Sequence, residues 1–176
     1  MSSITLGIDP GTAIMGYGLV ERVASVPGTT HGEELRMVEY GALYTPANAP
    51  LQERLPMLYD GLMQILKEYK PEWLAIEQLF FNKNVRTALA VGHARGVAIL
   101  AGAHAGLGVS EYTPLQVKQA VVGYGRATKE QVQTMVRLLL QMDHIPRPDD
   151  AADALAIAIC HIHSSAYQKL ISTSQG

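Results

Sequence analysis

Asp149, Asp150 and Asp153 stand within five residues in the stretch PDDAADALAIAI (148–159), and the chain turns apolar immediately afterwards. Carboxylates so close repel one another, so something must offset them: a helix N-terminus, or a bound cation. Asp150 and Asp153 are three residues apart and share a face if the segment is helical. Pro146 and Pro148 bar an earlier helix start. Both acids then fall in the first turn, where the helix dipole offsets up to about 1 kcal/mol each. Two further acids close short apolar runs, Asp9 in ITLGID and Glu77 in WLAIE. Four carboxylates brought together in a partly buried cleft carry an electrostatic cost that divalent cations remove. All-oxygen ligation favours Mg²⁺ or Mn²⁺ over zinc. Two such ions can activate a water and stabilise a departing oxygen in phosphodiester hydrolysis. Taken singly, each acid has a plainer role: first-turn aspartates are usually caps, and Asp149 is assigned as the N-cap. Asp9 before Pro10-Gly11 also reads as a turn residue. The combination carries the chemistry.

The elements that must bring these acids together follow from periodicity. ITLGID reads as a buried strand, and IMGYGLVER and MVEYGALYT complete a three-stranded antiparallel meander. Leu51, Leu55, Leu58, Leu62, Ile65 and Leu66 form one face of a helix. WLAIE is a strand, an Ala/Gly-rich helix spans about Val85 to Leu107, and GVSEY is a last strand. Helical segments follow at Leu115–Val122, Thr128–Met142 and Asp149–Ala166. Short links make the first three strands antiparallel, and helical crossovers set the later strands parallel to the first. The expected architecture is a mixed five-stranded sheet with helices on both faces. Sites in such sheets gather at the carboxyl ends of parallel strands, where Asp9 and Glu77 meet if their strands are neighbours.

The 176 residues are one domain's worth of chain, and 48% hydrophobic with 17% charged residues indicates a packed core. A single cysteine, Cys160, excludes a disulfide framework and fits a reducing compartment. With no leader at MSSITLGID and His93, Arg95 and His104 interrupting the longest small-apolar run, a cytoplasmic protein with no membrane span is expected. A net charge of −2 requires any nucleic-acid role to rest on local basic clusters.

GIDPGT (7–12), GYG (16–18), AIEQLFFNKN (75–84), ARGVAI (94–99), VKQAVVGYG (117–125) and DAADALAIAI (150–159) resemble, in order and over nearly the whole chain, the RuvC Holliday junction resolvases. The resemblance implies a ribonuclease-H-like fold for residues 1–168, with 169–176 a flexible tail. It further implies a homodimer, Mg²⁺-dependent symmetric nicking of four-way junction DNA, and the RuvA–RuvB branch-migration complex as partner. Its four catalytic and metal-binding acids fall on Asp9, Glu77, Asp150 and Asp153. Asp149 is an acid beyond that pattern.

Phe80 and Phe81, the chain's two phenylalanines, follow Glu77 closely and suit stacking on unpaired bases. The resemblance points to Phe80. Lys83 and Arg86 follow the pair, and Lys118, Arg126 and Lys129 flank VVGYGRATKE. Helix starts near Thr113 and Thr128 could offer amides to phosphates. The resemblance supports Lys118 and Lys129 as DNA contacts. Gly92 and Gly96, four apart, permit close helix approach, and the resemblance tips this towards a dimer interface. Other patterns fail on inspection. Gly11-x4-Gly16 lacks the lysine of a phosphate-binding loop, with Tyr17 in its place. His161-x-His163 has no clustered partners for zinc. GIDPGT also resembles an actin-like ATPase turn, but 176 residues scarcely supply two lobes.

Overall fold

The computed structural model of the protein describes residues 3–23, 34–78 and 85–174, leaving out the side chains of 85–87 and 167–174. Strands β1 (Ser3–Asp9), β2 (Ile14–Val23) and β3 (Glu34–Tyr44) come first, followed by helix α1 (Leu51–Tyr69), β4 (Trp73–Glu77), α2 (Val85–His104) and β5 (Gly108–Tyr112). Helices α3 (Pro114–Val122), α4 (Lys129–Leu139) and α5 (Asp149–Ser174) complete the chain. The sheet order is β3-β2-β1-β4-β5. β1–β2 and β2–β3 pair antiparallel, while β1–β4 and β4–β5 pair parallel, as the connection lengths require. Both crossovers are helical.

Alternation along the strands divides the core in two. Leu6 and Ile8 of β1 and Leu74 and Ile76 of β4 pack against Leu58, Leu62 and Leu66 of α1 and Ala94, Ala98 and Ala101 of α2. Ala75 faces the other way, into a second cluster built from α5 with Val117 and Val121 of α3 and Val132 and Val136 of α4. Gly7 and Asp9 alternate with Leu6 and Ile8, so they point to the α5 side. α5 is buried almost all round from Ala151 to Ile162 because it lies between the sheet on one side and α3 and α4 on the other.

Glycines set how closely α5 lies on the strands. A Cβ at Gly7 would intrude on the Ala154 carbonyl, one at Gly16 on the Asp150 backbone, and one at Gly18 would lie 2.8 Å from the Leu155 nitrogen. Gly7 pairs with Gly18 and Gly16 with Asp9 across β1–β2, so the bare positions form one patch beneath the N-terminal half of α5.

Some sequence expectations are corrected. β3 begins three residues before MVEYGALYT. α4 stops at Leu139 rather than Met142, with Leu140 closing it. α5 continues to Ser174 rather than ending at Ala166. Asp149 is not the N-cap. The Pro148 carbonyl accepts from Ala151 and Ala152, which makes Asp149 the first helical residue. Asp150 remains in the first turn, whereas Asp153 falls just beyond it. Asp153 therefore depends more on neighbouring charges than on the helix dipole.

Candidate active site

β1 and β4 run parallel with Ile8 opposite Ile76, so Asp9 and Glu77 are the next residues in register at the carboxyl ends of neighbouring strands. Both project to the α5 side, where the glycine patch lets the helix bring Asp150 and Asp153 over the strand ends. The turn after Asp9 is tied down. The Thr45 amide donates to the Ala13 carbonyl at 3.0 Å, the Thr45 hydroxyl to the Thr12 carbonyl at 2.5 Å, and Arg54 Nε to Thr45 Oγ1 at 2.9 Å.

A cavity of about 210 Å³ opens here, lined by Asp9, Glu77 and Asp153 with Lys118 of α3 and Lys129 of α4. Pro114, Val117, Val132, Ala156 and Ile157 form its apolar wall. That wall strengthens every charge interaction within. Burial pushes the Asp9 carboxyl up to about 7, with the charges of Asp153, Glu77 and Asp150 acting in the same direction. Glu77 is raised by burial and by Asp153, against the pull of Lys118. Asp153 is also raised by burial, against a hydrogen bond and charge from Lys129. Asp9 thus senses Glu77, Asp150 and Asp153 although they come from β4 and α5.

Lys129 Nζ lies 3.1 Å from Asp153 Oδ2 and 3.5 Å from Asp149 Oδ2. The donor set is carboxylate oxygen throughout, which fits a hard divalent cation. Among the described residues no three acidic, histidine or cysteine side chains already stand close enough to share one ion. The Lys129 ammonium instead makes the contact with Asp153 that a cation would make. The site is an acidic cluster partly neutralised by its own lysine.

The remaining sequence candidates fall in several places. Lys118 and Lys129 are at the cavity, and Arg126 is exposed in the α3–α4 connection. Phe80, Phe81 and Lys83 lie outside the described residues, as does the side chain of Arg86. The helix starts at Thr113 and Thr128 both form capping boxes, so Thr113 Oγ1 holds the Gln116 amide and Thr128 Oγ1 the Gln131 amide. Pro114 has no amide hydrogen, which leaves α3 with a poor anion site and α4 with the amides of Lys129 and Glu130. Among the described residues nothing lies within 4 Å of a Cβ at Gly92 or Gly96, so the described packing does not explain them. His161 Nδ1 and the Tyr112 hydroxyl are 2.9 Å apart, and His163 Nδ1 is 3.0 Å from the Ala120 carbonyl. The two histidines thus serve separate contacts.

Sequence reasoning missed two features. One is the glycine patch, although glycine inside a strand signals close backbone approach. The other is the environment of Asp149, which pairs with both Lys129 and Arg147. Lys129 and Gln133 at i and i+4 on α4 were the available signal.

Comparison with known proteins agrees with this geometry. The family model of RuvC, crossover junction endodeoxyribonuclease, matches residues 5–161. A crossover junction endodeoxyribonuclease RuvC of Desulforamulus reducens is 58% identical over 158 residues, covering 90% of this chain and 92% of that protein. The solved Thermus thermophilus RuvC structure superposes with a TM-score of 0.84 at 34% identity, covering 94% of this chain and 96% of that one. A second T. thermophilus RuvC structure, in complex with Holliday junction substrate, gives 0.82 at 36% identity and covers 93% and 94% of the two chains.

Proposed function

The chain belongs to the RuvC family of crossover junction endodeoxyribonucleases, and from that membership we propose how its own residues resolve a four-way DNA junction. It is a metal-dependent nuclease of ribonuclease-H-like fold. The observation that carries the reading is the register of β1 and β4, which sets Asp9 beside Glu77 at the mouth of a cavity that Asp153 also lines. Asp9, Glu77, Asp150 and Asp153 would hold two Mg²⁺ ions, with Mn²⁺ able to replace them. Bound there, the ions would supply activation of the attacking water and charge compensation of the departing 3′-oxygen. Burial and its acidic neighbours push Asp9 up to about 7, so without a cation it is only partly ionised at neutral pH and would release that proton on becoming a ligand. Lys118 and Lys129, on either side of the cavity, would hold the flanking phosphates, and Arg126 would extend that contact. The apolar wall of Val117, Val132 and Ile157 keeps bulk water away from the scissile bond. Hydrolysis in this arrangement leaves 5′-phosphate and 3′-hydroxyl ends.

Phe80 is assigned to stacking in the junction centre, with Lys83 and Arg86 on the adjacent backbone. A two-fold substrate needs two nicks, and a homodimer supplies two sites. The face of α2 that carries Gly92 and Gly96 supports this, because the exposed Leu89 and Leu100 continue the same stripe. Cooperation with RuvA–RuvB and a cytoplasmic location complete the proposal. Among the described residues no helix is long and apolar enough to cross a membrane. A synthetic four-way junction incubated with the protein and Mg²⁺ should yield paired symmetric nicks, with linear duplex and RNA–DNA hybrid left intact. Equal cutting of linear duplex would overturn junction selectivity.

A further inference from the structure

Asp149 sits in a site built for a carboxylate. Arg147 Nη1 takes its Oδ1, and Lys129 Nζ lies 3.5 Å from its Oδ2. Gln133, one turn beyond Lys129 on α4, is 5% exposed, and against the upward push of desolvation its side chain holds the Asp149 carboxyl down together with Lys129 and Arg147. Asp149 does not line the carboxylate cavity, whereas Asp153 and Lys129 do. Asp149 and Asp153 are four residues apart on α5, so they share the strip of helix that Lys129 reaches.

We propose that Asp149 is a positioning residue that gives Lys129 a second acidic partner, so that the ammonium can yield Asp153 to a divalent cation while staying at the cavity mouth. The proposal rests on the reading of Asp153 as a metal ligand. The ammonium is shared between the two carboxylates at 3.1 and 3.5 Å. A cation approaching Asp153 repels the ammonium, and Oδ2 of Asp149 receives it with little movement. Without that acceptor, Lys129 has Asp153 as its one acidic partner among these contacts and competes with the metal for it. Arg147 occupies the other oxygen of Asp149, which keeps the carboxylate oriented towards Lys129.

Mn²⁺ binding to the full chain without DNA, followed by the spin resonance of free Mn²⁺, tests this directly. Asp149→Asn should weaken binding about fivefold, the equivalent of one partly exposed ion pair. Asp149→Glu should restore it. Lys129→Met should tighten Mn²⁺ binding, because the competitor for Asp153 is gone. In the Lys129→Met background, Asp149→Asn should change affinity by less than about twofold. The same loss in both backgrounds would overturn the proposal, since Asp149 would then act on the metal itself. No loss from Asp149→Asn in the wild-type background would overturn it equally. Should Asp149→Asn fail to fold, Lys129→Met decides alone: unchanged or weaker Mn²⁺ binding sinks the idea. Equal binding by wild type and Asp153→Asn would instead refute the metal-ligand reading.

Discussion

Asp9 and His161 place opposite demands on the fold as pH changes. Asp9 is pushed up to about 7 by burial and its acidic neighbours, so the metal-free folded state holds a proton that the unfolded chain has already released. Its contribution is present in acid and lost as pH rises towards 7. Burial pushes His161 down to about 4, so here the unfolded chain takes up the proton first. That contribution is present above the ordinary histidine range and is lost as pH falls towards 4. In Asp9→Asn the first effect is absent. Urea denaturation of this variant with chelator should show stability falling by up to about 3 kcal/mol between pH 7 and pH 4. The wild type should give a flatter profile over the same window. Neutralising the acids tests their chemistry separately. Asp9→Asn, Glu77→Gln, Asp150→Asn and Asp153→Asn should each reduce nicking by at least about a hundredfold while largely preserving junction binding in a gel-shift assay. Full activity in Asp150→Asn would move the ligand role to Asp149.

Among the helices and strands, the contact of α5 with β1 and β2 decides whether a site exists at all. The helix carries two of the four acids, and its distance from Asp9 is set where Gly7, Gly16 and Gly18 leave the strand surface bare. Gly16→Ala places a methyl against the Asp150 backbone, which cannot move aside as a flexible side chain would. The helix must shift, at a cost of about 1–3 kcal/mol. Denaturant midpoints should report that loss, and junction cleavage measured where the variant is fully folded should fall as well. Gly102→Ala, whose Cβ would meet the Leu74 side chain at 3.0 Å, is the control. It should cost stability without a comparable loss of cleavage, because α2 and β4 meet there on the face of the sheet away from the acids.

Across the molecule as a whole, a net charge of −2 coexists with a basic rim at the acidic cavity. DNA binding by such a protein depends on local neutralisation of phosphates, so affinity should fall steeply with salt. Lys118→Ala and Lys129→Ala should each reduce the slope of log K against log salt by about one. Fluorescence anisotropy with a labelled junction measures this, and an unchanged slope would remove these lysines from the phosphate contacts. The exposed stripe of α2 makes a second statement at this scale. Gly96→Leu alters a position with open space around it among the described residues. The chain should fold normally while the proposed homodimer dissociates, a shift that analytical ultracentrifugation would reveal.

Much of this was legible in the sequence because it depends on local rules. Alternation in ITLGID and WLAIE, the apolar stripe of α1 and the lengths of the connections sufficed for five strands, their directions and helices on both faces. The four acids stood out because carboxylates at strand ends and at i, i+3 in a helix are costly unless they have a task. Asp149 was misplaced by one helix position because capping depends on backbone angles at Pro148, which spacing does not encode. How closely α5 approaches the sheet, and that Lys129 reaches both Asp149 and Asp153, were decided by tertiary structure alone. These contacts join residues far apart in the chain, and their distances follow from how α4, α5 and the strands pack together.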